Sequence, residues 1–200
     1  MSISTLKKQW DSSMKIQKSW AVLISQTGSE VIAISKETGF LPGLVITNNL
    51  TKVKAENLEI LRENGAEVRE IPFRPTVKDY IESGLLDKQL ITLHGFLRIL
   101  PAEFLNEFKG KMYNGHPALI TEYPELKGLN KQEDIFYHKE KYPTCGSVVH
   151  EVIPELDSGE VLVDCQTVNT CKSLNEAYEI LRETSLASWV IFFTKFWKFE

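Results

Sequence analysis

Short apolar runs alternate with amphipathic stretches from about residue 20 onward, and this alternation restricts the possible folds more than any other feature of the chain. Strand-like runs lie at 20–25, 41–49, 66–73, 90–96, 111–117, 146–153 and 160–168. Helical patterns begin after residue 29 and recur at 55–65, 79–86, 101–108 and 173–193. Strands that alternate with helices indicate βαβ units and a largely parallel sheet covered on both faces. The pattern predicts an α/β protein.

The N-terminal residues differ in rhythm from the rest. Leu6, Trp10 and Met14 recur at four-residue spacing, which predicts a short amphipathic helix. We therefore expect an N-terminal helical extension over residues 1–19 and one domain over residues 20–200, a length typical of a single domain. The aromatic segment from Trp189 to Trp197 is too short to span a bilayer, and we expect it to dock on the core.

The chain's charge and cysteine content limit its partners and its location. The net charge is −4 with a pI near 5.7, which provides no electrostatic reason to expect nucleic acid or an anionic membrane as a partner. Cys145, Cys165 and Cys171 are odd in number and lack Cys-x-x-Cys spacing, a pattern typical of reduced thiols. The first residues have no apolar core of the kind that signal peptides contain. We expect a cytoplasmic protein.

The segment Tyr113-Asn114-Gly115-His116-Pro117 ends a predicted strand with two polar side chains on one face. In a strand, the two-residue period places Asn114 beside His116 and turns Gly115 to the other face. Pro117 cannot donate to a sheet, so the strand ends there. An amide donor beside an imidazole suits oxyanion stabilisation combined with proton transfer. A polar strand end without a chemical role has the same spacing, so both interpretations stay open at this point.

The segment Glu155-Leu156-Asp157-Ser158-Gly159 connects two predicted strands. Asp-Ser-Gly is a common turn sequence, but a carboxylate there could also orient an imidazole or receive a proton through water. His150, on the preceding strand, is either a half-buried strand residue or part of the same pocket.

An apolar loop follows the strand that ends at His94. Gly95 interrupts the strand and allows a flat ring or another backbone to approach closely. The loop residues Phe96, Leu97, Ile99 and Leu100 are too apolar to lie in water without a partner, whereas Arg98 is expected to be exposed. A flat heterocycle held by backbone groups between apolar walls would explain this loop, and so would ordinary core packing.

A further loop, Gln26-Thr27-Gly28-Ser29-Glu30, joins the first strand to the first helix. Free N–H groups at a helix N-terminus bind anions, but one glycine is a weak signal, and Glu30 adds negative charge. The loop matches neither a Walker sequence nor a Gly-x-Gly-x-x-Gly sequence.

The order of these motifs resembles that of the folate-dependent formyltransferase family. The sequences HGFLRIL (94–100), NGHPALI (114–120) and GSVVHEVIPELDSG (146–159) occur in the family's order, and the likeness extends from about Trp20 to about Phe193. The resemblance implies a doubly wound, mainly parallel sheet of Rossmann type. It also implies transfer of a formyl group from 10-formyltetrahydrofolate to the amine of glycinamide ribonucleotide, in purine biosynthesis, by a monomer or homodimer.

The resemblance assigns roles to individual residues. The catalytic trio would be Asn114, His116 and Asp157. The folate pocket would comprise Phe96, Leu97, Arg98, Ile99, Leu100, Ile153, Glu155 and Leu156. The amine substrate would meet Gly28, Ser29, Glu30, Pro117 and Glu183, the last holding a ribose. No metal is expected, because no Cys/His cluster has ligand spacing.

Two departures from the family pattern lie in the part of the site that would bind the amine substrate. Glu30 replaces a usual asparagine, and His94 stands where a small residue is usual. These departures leave two alternatives open: formylation of another amine, such as a nucleotide-linked amino sugar, or a folate-binding relative without catalytic activity.

Overall fold

The structure is a computed structural model that describes residues 14–128 and 131–199, and it contains a seven-stranded sheet with helices on both faces. The strands are β1 (Lys15–Ile24), β2 (Phe40–Thr47), β3 (Glu67–Glu70), β4 (Leu90–His94), β5 (Lys111–His116), β6 (Thr144–Glu151) and β7 (Val161–Val168). The α-helices are α1 (Ser29–Thr38), α2 (Ala55–Glu63), α3 (Val77–Glu82), α4 (Ala102–Glu107), α5 (Lys131–Tyr137) and α6 (Leu174–Ile191). Short 3₁₀ turns lie at Leu50–Lys52 and Pro124–Leu126, and a π-helical turn at Phe192–Phe196 continues α6.

The strand order is β3-β2-β1-β4-β5-β6-β7. The neighbouring strands β3, β2, β1, β4 and β5 pair in parallel. Strand β6 runs antiparallel to β5, and β7 runs antiparallel to β6. The predicted α/β class and mainly parallel sheet are therefore confirmed. The chain moves outward from β1 to β3 and returns to β4 on the other side of β1. Ligands of such sheets bind beyond the carboxyl ends of the strands beside this switch point.

Strand β1 shows why the central runs are continuously apolar. Trp20 and Val22 belong to the core under α1, α2 and α6, whereas Ala21 and Leu23 belong to the core under α3 and α4. Both faces of the strand are buried, so alternate positions cannot be polar. Complete burial of a side chain such as Leu23 contributes about 1.5–3 kcal/mol of stability.

Strand β1 begins earlier than the sequence indicated. Lys15 pairs with Phe40, and Ile16 pairs with Leu41, so residues 15–19 belong to the sheet and not to the predicted extension. These residues are partly exposed and mixed in polarity, which removes the apolar signal. The helix predicted from Leu6, Trp10 and Met14 lies mostly outside the described residues, and the division into extension and domain stays a prediction.

Helix α6 begins where the helical pattern indicated, and Ser173 caps its first turn. The Ser173 hydroxyl accepts the Glu176 N–H at 3.2 Å, but the Glu176 carboxylate accepts the N–H of Lys172 at 2.8 Å and not that of Ser173. At the other end, Trp189 and Phe192 are fully buried, which confirms that the aromatic segment docks on the core. Across residues 14–128 and 131–199, no helix has both the length and the apolar character needed to cross a bilayer.

Candidate active site

The end of β5 presents Asn114 and His116 on the sheet face that α3 and α4 cover. Gly115 lies between them and faces α6, where a Cβ atom would come within 2.5 Å of the Trp189 indole nitrogen. A side chain at this position is therefore excluded by the packing of α6. Because the backbone is fitted closely to Trp189, the positions of the two flanking polar residues are well determined.

The antiparallel pairing of β5 with β6 adds His150 to this pair. His150 lies directly opposite Asn114, and its Nε2 atom is 3.2 Å from Asn114 Nδ2. The Nδ1 atom of His150 is 2.8 Å from the Glu151 carbonyl and must donate to it, since a carbonyl can only accept. The sequence left the role of His150 open, because nothing in the chain indicates which strand lies opposite Asn114.

Asp157 reaches the same place from the loop between β6 and β7. Its Oδ2 atom lies 3.5 Å from His116 Nδ1, and its Oδ1 atom lies 3.5 Å from His150 Nε2. The Gly128 N–H donates to Oδ2 at 2.8 Å. Asp157 has a φ of 48°, the only left-handed non-glycine backbone in the described part of the chain. This conformation costs about 1–2 kcal/mol, so the surrounding contacts must hold the residue in place.

The charge of Asp157 is stabilised by its neighbours. Burial alone would raise the pKa of this carboxyl, but the contact with His150, the charge of His116 and the Gly128 N–H lower it to about 2. Asp157 is therefore ionised at neutral pH.

Opposing influences act on the pKa of His116. Burial disfavours the imidazolium and lowers the pKa of His116, while Asp157 and the Leu126 carbonyl act in the other direction. Its Nε2 atom donates to the Leu126 carbonyl at 2.8 Å, and its Nδ1 atom faces a carboxylate. Both ring nitrogens thus face acceptors, and only the protonated ring satisfies both. His116 can carry a proton transiently beside a permanent negative charge.

A cleft of about 300 Å³ adjoins the trio, and its walls are mainly apolar. It is lined by the predicted folate residues Phe96, Leu97, Arg98, Ile99, Leu100, Ile153 and Leu156, together with Asn114, His116, His150 and Asp157. Glu155, which the sequence placed in this pocket, is exposed and does not line it, whereas Asp157 is buried and Leu156 lines the cleft while staying half exposed.

The loop after β4 is anchored at both ends of its exposed part. Gly95 has a φ of 62°, which favours glycine. The Leu97 N–H donates to the Ser25 hydroxyl at 3.0 Å. Arg98 Nε donates to the Phe73 carbonyl at 2.9 Å, and its guanidinium lies 4.1 Å from the centre of the Phe73 ring. Arg98 therefore tethers the loop to the segment after β3.

A second cleft of about 230 Å³ lies on the α1 and α6 side of the sheet. Gly28, Ser29, Glu30 and Pro117, which the sequence assigned to the amine substrate, all line it. The two clefts share the lining residues Gly95, Gly115, Pro117 and Gln132. They meet at the glycine-containing end of β5, beside the trio.

Glu183 does not reach this cleft, contrary to the sequence assignment. The α6 residues that line the cleft are Tyr178, Leu181, Arg182 and Ser185, whereas Glu183 is exposed. The sequence motifs did not indicate Tyr178 or Arg182, because their shared orientation becomes visible only when α6 is docked.

Within the described residues, no group of three or more His, Cys, Asp and Glu side chains is arranged to hold a metal ion.

Comparisons with known proteins agree with this arrangement. A family model described as formyl transferase matches residues 18–184. Phosphoribosylglycinamide formyltransferase from Haemophilus influenzae is 30% identical over 162 residues, which cover 74% of this chain and 72% of that protein. The crystal structure of phosphoribosylglycinamide formyltransferase from Anaplasma phagocytophilum is similar with a TM-score of 0.73 and 27% identity, over 87% of this chain and 84% of that one.

Longer proteins also match. The trifunctional purine biosynthetic protein adenosine-3 of Bos taurus is 28% identical over 176 residues, which cover 80% of this chain but only 17% of that protein. The chain thus spans less than a fifth of the length of the trifunctional relatives that it matches.

Proposed function

The chain belongs to the formyl transferase family, and on that premise we propose that it transfers the formyl group of 10-formyltetrahydrofolate to the primary amine of glycinamide ribonucleotide, in purine biosynthesis. The observation that carries this proposal is the convergence of Asn114, His116 and Asp157 where two clefts meet. One cleft is apolar and suits a flat heterocycle, and the other begins at a helix N-terminus and suits a smaller polar acceptor.

The reaction begins when the acceptor nitrogen attacks the formyl carbon, which gives a tetrahedral intermediate with a negative oxygen. Asn114 uses one amide hydrogen toward His150, and the other is available to that oxygen. The imidazolium of His116 supplies the second stabilising group. A preorganised donor of this kind lowers the activation free energy by about 3–4 kcal/mol.

The intermediate then collapses: the carbon–N10 bond breaks, N10 of the folate gains a proton, and the acceptor nitrogen loses one. A carboxylate with a pKa of about 2 is a weak base, so Asp157 acts mainly by stabilising the His116 imidazolium. His116 supplies the proton that N10 needs. The proton from the acceptor nitrogen passes to water held by Asp157 and then to His116, so that the enzyme ends in its starting protonation state.

The apolar cleft suits the folate donor. Its volume of about 300 Å³ lies at the lower end of the range for small-molecule sites. Loop residues 96–100 bring backbone hydrogen-bonding groups to the pterin ring, and Ile153 and Leu156 complete the apolar wall. When bound, the folate supplies the activated formyl group.

The second cleft suits the amine. Backbone N–H groups of Gly28 and Ser29 at the start of α1, with the Arg182 guanidinium in the same cleft, are the donors for a phosphate. Pro117 lines both clefts and therefore lies where amine and formyl carbon meet. A cytoplasmic location and a monomer or homodimer stay predictions from the sequence.

Glu30 is the one observation that favours a different acceptor, such as a nucleotide-linked amino sugar, because it adds negative charge to the amine cleft. The test is a formyl-transfer assay with 10-formyltetrahydrofolate and a panel of amines, in which glycinamide ribonucleotide should have the highest kcat/KM. Faster turnover of another amine, such as a nucleotide-linked amino sugar, would overturn the proposed acceptor. Folate binding without turnover of any amine would favour a non-catalytic relative.

A further inference from the structure

The carboxylate of Glu30 is held at both oxygens. Its Oε2 atom lies 2.9 Å from His94 Nδ1, and its Oε1 atom accepts the Ser185 hydroxyl at 2.6 Å. The Glu30 side chain is 25% exposed, and Glu30 lines the amine cleft. The glutamate is therefore not a loose surface charge. Two contacts, one from β4 and one from α6, determine the direction in which it points.

The contact with His94 continues into the core. The Trp20 indole N–H donates to the Thr92 hydroxyl at 2.9 Å, and Thr92 Oγ1 lies 2.8 Å from His94 Nε2. If the Thr92 hydroxyl donates to His94, Nδ1 carries the proton and donates to Glu30, so all three hydrogen bonds run toward the carboxylate. Trp189 packs against the His94 ring, with centroids 4.5 Å apart and the ring planes tilted by 43°. The orientation of His94 is thus fixed from two sides.

The charge state of Glu30 suits a hydrogen-bond acceptor. Burial would raise the pKa of Glu30, but the hydrogen bond from His94 and the hydrogen bond from Ser185 outweigh it and lower the pKa. The carboxylate is therefore ionised and can only accept hydrogen bonds. Each oxygen has about two lone-pair positions, one of which is used, so two remain for a ligand.

The chemical groups of the amine substrate limit what can bind at the two free lone-pair positions of Glu30. A phosphate dianion has no hydrogen to donate to these lone pairs, so it does not bind to Glu30 itself. An amine bound there would be held as an ammonium, which has no lone pair for attack. The remaining donors of a ribonucleotide sugar are its hydroxyl groups, and Glu183, the residue expected to hold the ribose, is outside the cleft.

We propose that Glu30, oriented by His94 and Ser185, accepts hydrogen bonds from the ribose hydroxyls of the acceptor and so selects an acceptor with a free diol. This inference rests on the proposed function and names a residue for acceptor recognition within it. The phosphate of the same acceptor then lies toward Arg182 and the start of α1. The pair formed by Glu30 and His94 is a feature of this chain, since both positions depart from the family pattern.

The experiment compares the binding of two ligands by isothermal titration calorimetry: glycinamide ribonucleotide and its 2′,3′-dideoxyribose analogue. In Glu30→Gln, Kd for glycinamide ribonucleotide should rise about 10- to 100-fold, because hydrogen bonds to a charged group are lost. For the dideoxy analogue the variant and the wild type should bind within about twofold. Glu37→Gln, on the exposed side of the same helix, is the matched control and should change neither value.

His94 is tested as a positioning residue in the same assay. His94→Ala should weaken binding of glycinamide ribonucleotide in the same direction as Glu30→Gln, and the double variant should add little to either single change. Thermal unfolding of each variant shows whether the fold is retained. A loss that is equal for both ligands would indicate a purely structural role and would contradict the proposal.

The outcomes also separate this proposal from the proposed function. If the wild type binds glycinamide ribonucleotide with the expected dependence on Glu30 but does not formylate it, only the proposed function fails. If the wild type formylates it and Glu30→Gln binds it equally well or more tightly, the role of Glu30 as a hydroxyl acceptor is wrong.

Discussion

The carboxylate of Asp157 lies 3.5 Å from Nδ1 of His116, although the two residues come from different segments of the chain. The contact forms because β6 runs antiparallel to β5 and its following loop folds back over the same sheet face. It places a permanent negative charge beside an imidazole that burial would otherwise keep uncharged. The predictions about acid–base chemistry depend on this pair.

Replacing Asp157 by Asn should lower kcat by about 100-fold or more while leaving the KM of both substrates within a few fold. The change removes the charge that stabilises the imidazolium of His116, and an electrostatic contribution of this kind is worth about 3 kcal/mol. Steady-state kinetics with glycinamide ribonucleotide measures the effect. Asp87→Asn, an exposed change outside both clefts, is the control. A kcat close to that of the wild type would remove Asp157 from the mechanism.

The free energy of unfolding should fall on acidification in two steps. The pKa of His116 is lowered from 6.5, so its contribution is present above pH 6.5 and is lost as the pH falls through its folded value. The pKa of Asp157 is lowered from 3.8 to about 2, so its contribution is present above pH 3.8 and is lost as the pH falls toward 2. The second step should be about 2 kcal/mol.

Urea unfolding of the wild type and Asp157→Asn between pH 2 and pH 7 measures these steps. Below pH 3.8 the variant should lose about 2 kcal/mol less than the wild type, while the loss from Glu30, whose pKa is also lowered, stays in both proteins. An equal acid loss in both proteins would show that other carboxyl groups account for it.

Gly115→Ala should destabilise the protein by about 1–3 kcal/mol and reduce kcat, because the new methyl group would lie 2.5 Å from the Trp189 indole nitrogen. The backbone must then move, and Asn114 and His116 move with it. The double variant with Trp189→Phe should recover part of both losses, because the smaller ring leaves room. Thermal unfolding and steady-state kinetics of the single and double variants measure these effects. If Trp189→Phe restores nothing, the contact between these two residues is not the cause.

Ile99→Ala should raise the KM for the folate donor about 5- to 20-fold and leave the KM for glycinamide ribonucleotide unchanged. Ile99 is 73% exposed at the wall of the apolar cleft, so a ligand there would bury it, at about 0.8 kcal/mol per CH₂ group. Val168→Ala, at an exposed apolar position on β7, is the matched control. A change in the KM for the amine instead would mean that the amine occupies the apolar cleft and the folate donor occupies the second cleft.

Arg182→Ala should raise the KM for glycinamide ribonucleotide about tenfold, through loss of a charge-assisted contact with the phosphate, whereas Glu183→Ala should have no effect. Higher salt should reduce the difference between wild type and Arg182→Ala, because the contact is electrostatic and partly exposed. If Glu183→Ala is the variant that weakens binding, the assignment made from the sequence is correct and the orientation of α6 in solution differs.

The site could be predicted where its signal is local. The spacing of Asn114 and His116 on one face follows from the strand period, and Pro117 marks where that strand ends. The loop residues 96–100 were recognised because an apolar run that continues past a strand-breaking glycine needs a partner. By contrast, the roles of Glu155 and Glu183 follow only from the family resemblance, and neither residue lines its cleft.

The sequence by itself determined the α/β class, the order of the strands and of the described α-helices other than α5, and the identity of the polar residues at the strand ends, because period and turn residues are properties of neighbouring positions. Only the tertiary structure decided that His150 lies against Asn114, that Asp157 returns to His116, and that Glu30 is bound by His94 and Ser185. Those contacts join segments distant in the chain. They follow from the pairing of β6 with β5 and the docking of α6, which the burial of the whole core selects.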